Sequence, residues 1–144
     1  MSDGKGIKMQ FQKVVSYIAI VLGAVFMVSG TVSYAMVSST LAEERITVAD
    51  DADMAAGKLV NGPMSAYSQA AVIQKHSLGS TNGLTYAELD REDPLRAVAM
   101  NGSFLRASLF TSVVSFGLSA FVVGVGVLFV LMGSGMLGMA KKLS

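Results

Sequence analysis

The chain has 144 residues, of which 52% are hydrophobic and 15% charged. Its 11 basic residues nearly balance its 10 acidic ones, and neither a basic stripe nor an aromatic platform for nucleic acid is visible. It has no cysteine, which excludes a disulfide framework and any thiolate site.

The first 13 residues carry Lys5, Lys8 and Lys13, opposed only by Asp3. Val14 to Val37 then runs without a charge. That run exceeds the roughly 20 helical residues needed to cross about 30 Å of hydrocarbon. Residues 14–37 are therefore predicted to form a first transmembrane helix. Tyr17 and Tyr34 lie near its ends, where amphipathic rings suit the headgroup layers. Gly23 and Gly30 stand seven residues apart, and Ser16, Ala19 and Gly23 follow at helical spacing. Small residues so placed let a second backbone approach closely, which matters in lipid because the hydrophobic effect gives helices little reason to associate there. A rival reading makes the basic start and apolar run a secretory signal cleaved after Ser33-Tyr34-Ala35. The continuation of the run through Met36 and Val37 favours a retained anchor.

Residues 38–106 form a connector with six basic and nine acidic side chains. Ala42 to Glu44 extend the first helix, and Ile46, Thr47 and Val48 read as extended chain. Asn61-Gly62-Pro63 is a turn signal. Ser65 is expected to cap a short helix from Ala66 to about Ser77, with Ala71, Val72 and Leu78 turned to a partner surface. A break at Leu78 to Gly83 precedes Thr85 and Glu88, which have capping-box spacing. Glu88 and Glu92 would share a helical face, with Arg91 or Arg96 neutralising nearby acids. Pro94 begins or interrupts an element, and Asn101-Gly102-Ser103 is expected to end the short turns after it.

Leu109 to Ala140 is the second uncharged run. A helix over 107–133 is predicted, with the Gly- and Met-rich residues 134–144 as an interfacial and cytoplasmic tail. Gly117, Ala120 and Gly124 form one small-residue strip on it. Lys141 and Lys142 match the lysines of the N-terminal tail, and bases beside membrane spans favour the cytoplasm. Both termini are expected inside and the connector outside, although Arg106 sits directly before the second span. The fold class is an all-α membrane protein: two transmembrane helices and a short-helix extracytoplasmic connector.

Little here suggests catalysis. His76 is the single histidine, so a zinc, iron or copper site lacks its usual convergent ligands. Asp50, Asp51 and Asp53 could touch a hard cation but lack the spacing of a calcium loop, and a solvated acidic patch is the simpler reading. The glycines of the second span have no P-loop lysine. Neither span holds a buried acid or base that would mark an ion path. No catalytic residue, metal or cofactor is expected.

Three segments carry a resemblance: Gly62-Pro63-Met64-Ser65-Ala66-Tyr67-Ser68-Gln69-Ala70, Thr85-Tyr86-Ala87-Glu88-Leu89-Asp90-Arg91-Glu92-Asp93-Pro94-Leu95-Arg96, and Ser103-Phe104-Leu105-Arg106-Ala107-Ser108-Leu109-Phe110-Thr111. Together with both anchors they resemble small two-span actinobacterial membrane proteins. Members of that group often carry an aromatic ring-opening dioxygenase label, which a lone His76 contradicts. The group also looks like accessory subunits of the actinobacterial respiratory supercomplex, in which cytochrome bcc is joined to an aa-type cytochrome c oxidase. That resemblance implies a non-catalytic subunit in lipid, packed against larger integral membrane subunits through Gly23, Gly30, Gly117, Ala120 and Gly124. Pro63, Tyr67, Tyr86, Glu88, Asp90, Arg91 and Arg96 would then belong to the connector's contact surfaces. The alternative is a self-associating module, channel-like in the extreme.

Overall fold

The computed structural model describes residues 3–142, with side chains from Gly6 onward. Asp3 and Lys5 of the basic tail, and the last two residues of the expected C-terminal tail, thus lie outside the side chains described. The protein is all-α: α1 (Asp3–Glu43), α2 (Pro63–Ser80) and α3 (Arg96–Lys142). The 41 and 47 residues of α1 and α3 give lengths of about 60 and 70 Å at 1.5 Å per residue. Both are long and apolar enough to cross a membrane. Tyr17 and Tyr34, both exposed, are about 25 Å apart along α1 at that rise.

Two compact units are present, one from Met1–Tyr34 with Leu118–Ser144, the other from Ala35–Gly117. The first is an antiparallel helix pair held by small residues. A Cβ on Gly23 would stand 2.5 Å from the carbonyl oxygen of Gly126, and one on Gly126 would stand 2.6 Å from the carbonyl oxygen of Gly23. Seven residues along in either direction the pattern recurs. A Cβ on Gly30 would stand 2.8 Å from the Ser119 carbonyl oxygen, and one on Gly133 would stand 2.7 Å from that of Ser16. Each glycine also receives a larger neighbour: Val130 at Gly23, Val123 at Gly30, Met27 at Gly126 and Ile20 at Gly133. Small and large positions thus alternate at heptad spacing on both helices, the period of a left-handed helix pair. Ser16, Ser119 and Ala140 complete the buried seam. Phe26 and Phe129 meet edge to face with centroids 6.0 Å apart.

The expected contact of the first span through Gly23 and Gly30 is thus present within the chain. On the second span the seam runs through Ser119, Gly126, Gly133 and Ala140 instead of Gly117, Ala120 and Gly124. The choice follows from shape: Ser119, Gly126, Gly133 and Ala140 keep a small residue at every seventh position, as Ser16, Gly23 and Gly30 do, whereas the repeat from Gly117 and Gly124 next meets the bulky Leu131.

The second unit contains α2, the connecting segments and the adjoining ends of α1 and α3. After α1, Arg45 turns into the left-handed region at φ 54°, and residues 46–60 fold back as a loop closed by the antiparallel bridge Thr47↔Leu59. The Val48 amide donates to Lys58 and the Val60 amide to Ile46, at 2.9 and 2.8 Å. Val48 and Val60 are thereby buried together with Ala66 and Ala70 of α2 and Leu109 of α3.

Several local expectations are corrected. The connector helix begins at Pro63, because Gly62 is extended at its N-cap and proline suits a first turn that needs no amide donor. Ser65 acts inside that turn, its hydroxyl accepting from the amides of Asn61 and Gly62. The buried face uses Ala66, Ala70 and Val72, while Ala71 is exposed. Asn101-Gly102-Ser103 does not interrupt α3, which starts at Arg96. Gly102 serves packing there: a Cβ would stand 2.6 Å from the hydroxyl oxygen of Ser77. The Asp93 carboxylate closes the turn that leads into α3 by accepting from the Leu95 amide at 2.8 Å. Helical structure also passes Gly133 and reaches Lys142, so 134–142 is not an irregular tail.

Replacement of Gly23 by Ala should weaken the helix pair by about 1–3 kcal/mol, since the added methyl meets backbone and the helices must separate. Gly135→Ala meets nothing within 4 Å among the described residues and should be neutral or gain up to about 1 kcal/mol of helix propensity. Reversible unfolding in mixed micelles distinguishes the two.

Candidate functional site

Two surfaces and one groove bear on function. The first surface is the outer face of α3, where Gly117, Ala120 and Gly124 are exposed. A Cβ on Gly117 or Gly124 would meet nothing within 4 Å among the described residues. The predicted strip therefore exists and is not consumed by α1, whereas Gly23 and Gly30 are fully engaged by α3 and are not available to an external partner.

The second surface belongs to the connector. Pro63 lies at the start of α2. Tyr67, 47% exposed, meets Phe110 edge to face with centroids 5.9 Å apart. Phe110 in turn lies 5.2 Å from the guanidinium carbon of Arg106. A base that directly precedes an apolar run is thus partly accommodated against an aromatic face. Gln69 and Ser68 tie α2 to the loop: the Gln69 side-chain oxygen accepts from the Ala49 amide at 3.0 Å, and the Ser68 hydroxyl donates to the Met54 carbonyl. About two turns further along α2, Lys75 and His76 converge on one carboxylate oxygen of Asp51 at 3.1 and 2.9 Å.

The segment from Tyr86 to Arg96 departs from its expected form. Residues 85–95 form turns instead of a helix, so Glu88 and Glu92 do not share a helical face. Among the described residues the ion pairs are those on Asp51, and Arg91 and Arg96 neutralise no acid. Arg96 instead donates to the Leu89 carbonyl and places its guanidinium carbon 4.1 Å from the centre of the Tyr86 ring. Glu88 reaches back to the Thr85 amide at 2.8 Å, while the Thr85 hydroxyl donates to the same carboxylate oxygen at 2.7 Å. Half of the capping box is realised, without the helix it usually begins. Asp90 and Arg91 are exposed at the tip, and the Asp90 carbonyl accepts from the Asp93 amide at 3.1 Å. Tyr86 and Arg96 are therefore one stacked pair, with Glu88 stiffening the turn beside them.

The groove was not foreseen. Met36 to Leu41 of α1, Glu44 just beyond its end, Phe104 to Ser115 of α3, Ile46 and the α2 residues Gln69 and Ile73 line about 890 Å³. These residues come from distant parts of the sequence, so no local motif announces the groove. It falls within the range of about 300–1,000 Å³ for small-molecule sites. No three His, Asp or Glu side chains converge as metal ligands among the described residues. No family model, curated protein or solved structure matches the chain.

Hydrogen bonds to His76, then Lys75, hold the Asp51 carboxyl below its ordinary range. The Thr85 amide, then its hydroxyl, does the same for Glu88. A depressed carboxylate pKa contributes stability above the unfolded value and loses it as pH falls through the folded one. Asp51→Asn should therefore speed hydrogen exchange at Val48, Gly57 and Val60 near neutral pH, by at most about fivefold for so exposed a pair. Wild type and variant should exchange alike once the pH lies well below about 3.9, the ordinary aspartate value. Residue-resolved exchange at both pH values checks this.

Proposed function

We propose that the chain is a non-catalytic accessory or assembly subunit of a larger integral membrane complex. In this reading it is a two-span protein of the plasma membrane, with both termini cytoplasmic and the connector extracytoplasmic. The observation that carries the proposal is the division of labour among small residues. Gly23, Gly30, Gly126 and Gly133 are occupied within the chain, whereas Gly117 and Gly124 face outward with open space above them. In a bilayer such a strip lets another helix approach closely. Exposed Tyr67 and the Tyr86–Arg96 pair would add contacts from the connector, aromatic and arginine side chains being common anchors in interfaces.

Lys8 and Lys13 precede the first apolar run, and Lys141 and Lys142 occupy the last turn of α3. This charge placement supports the proposed orientation. The specific assignment to a cytochrome bcc–oxidase supercomplex rests on the resemblance of residues 62–70, 85–96 and 103–111. The side chains described suit contact and structural roles, and the reading assigns no residue to electron transfer or catalysis.

Gly124→Leu is expected to reduce recovery of the partner complex by about tenfold or more, the effect of overfilling a close contact, with membrane insertion unchanged. Mild-detergent purification of the tagged chain, followed by identification of what co-purifies, reads the effect. Recovery of haem-containing oxidoreductase subunits with the wild type supports the respiratory assignment. Equal loss of insertion and partner removes the interface claim, and a pure homomer favours the self-associating alternative.

A further inference from the structure

The groove of the second unit has a polarity gradient along its length. Its inner end is lined by Met36 and Val37 of α1 and by Thr111, Ser112 and Ser115 of α3. These α3 hydroxyls do not make it polar. Thr111 donates to the Ala107 carbonyl at 2.9 Å, Ser112 to that of Ser108 at 3.3 Å, and Ser115 to that of Thr111 at 2.9 Å. Each hydroxyl is turned back on its own helix, leaving methyl and methylene groups as the wall. Leu41, Ile73, Phe104, Leu105 and Leu109 continue that apolar lining.

At the outer end the lining changes to Glu44 and Gln69. The Gln69 oxygen is taken by the Ala49 amide, so the donors of its side-chain amide are the groups left for an occupant. Glu44 is the only charged residue of the lining. Arg106 contributes to a separate small cavity instead. From Met36 the groove follows α1 to its end at Glu43, about 10 Å at 1.5 Å per residue, with Glu44 at the turn that follows. Its inner end belongs to the two uncharged runs and its outer end to the connector.

We propose that this groove binds one acyl chain of a glycerophospholipid with an amine-bearing headgroup. The chain lies between Met36, Ile73 and Leu109, Gln69 donates to a glycerol ester or phosphate oxygen, and Glu44 faces the ammonium. The inference rests on the two-span membrane reading, which puts lipid at the groove's inner end. Charge complementarity selects the headgroup: an anionic lipid without an amine would bring its charge to Glu44 and to a connector richer in acids than bases. A partner helix would also find an apolar wall, but it gives no reason for an acid and an amide donor at one end only.

The full-length chain is incorporated into vesicles of equal parts phosphatidylethanolamine, phosphatidylcholine and phosphatidylglycerol, washed at alkaline pH, extracted with mild detergent and weighed by native mass spectrometry. Loss of the chain in the wash overturns the membrane reading and the lipid site with it. For chain that stays embedded, retention of one phosphatidylethanolamine in preference to phosphatidylglycerol supports the site. Ser112→Phe, which fills the inner end, should then lower retention by about tenfold, and Glu44→Gln should abolish the headgroup preference. Unaltered retention in Ser112→Phe, equal binding of phosphatidylglycerol by the wild type, or a second copy of the chain in place of lipid overturns the proposal. Circular dichroism confirms that the variants remain helical. Should Ser112→Phe not fold, the wild type still decides: phosphatidylethanolamine with a photoreactive acyl chain must label residues 36–41 or 104–115, and labelling confined to other segments counts against the groove.

Discussion

Close approach of two backbones through facing glycines is the constraint on which the helix pair depends. Where Gly23 and Gly126 face each other, each would bring a Cβ to 2.5 or 2.6 Å from the other's carbonyl oxygen, a separation that forces the backbones apart. Water would favour Ala at both positions, because glycine lowers helix propensity. In lipid the calculation differs: helix backbones are stabilised by internal hydrogen bonds, and helices associate mainly by packing. Val130, Val123, Met27 and Ile20 each fill the space beside a glycine. The repeat of seven residues keeps the small positions facing one another along the seam.

That internal seam gives the remaining surface its meaning. Once α3 commits Ser119, Gly126 and Gly133 to α1, the strip at Gly117, Ala120 and Gly124 stays outward. In the second unit, packing is organised differently, around Val48, Val60, Ala66, Ala70 and Leu109. Polar residues of α2 hold the 46–60 loop over that cluster, Ser68 and Gln69 through backbone groups and Lys75 and His76 through Asp51. The connector thus uses its single histidine as a structural contact, and Tyr86 and Tyr67 pack on Arg96 and Phe110 while staying partly exposed.

The two long helices were legible because uncharged runs leave little choice of structure. Their contact was legible on α1, where Gly23 and Gly30 display the period directly. On α3 several glycines compete, and the true repeat includes Ser119 and Ala140, which do not stand out as glycine does. Gly102 misled for a related reason: glycine marks breaks in solvated segments, but here it lets Ser77 approach a continuous helix. Thr85 and Glu88 formed their predicted contact without the helix, since a reach-back hydrogen bond closes a turn equally well. The bridge between Thr47 and Leu59 and the groove above Leu109 depend on contacts between distant segments, which local patterns do not encode.

The register of the glycine seam is open to a direct measurement in a chain that contains no native cysteine. Phe26 and Phe129 bring their ring centroids to 6.0 Å across the seam, so thiols placed at these two positions lie within reach of a short bifunctional thiol reagent without filling a glycine site. The double variant Phe26→Cys, Phe129→Cys, treated in native membranes with a short bis-thiol reagent, should form an intramolecular crosslink at the monomer mass, while Phe26→Cys, Phe121→Cys, displaced by about 12 Å along α3, should not. Efficient crosslinking of the second pair with none in the first, or crosslinks found only between chains, would contradict the seam and the outward strip that follows from it.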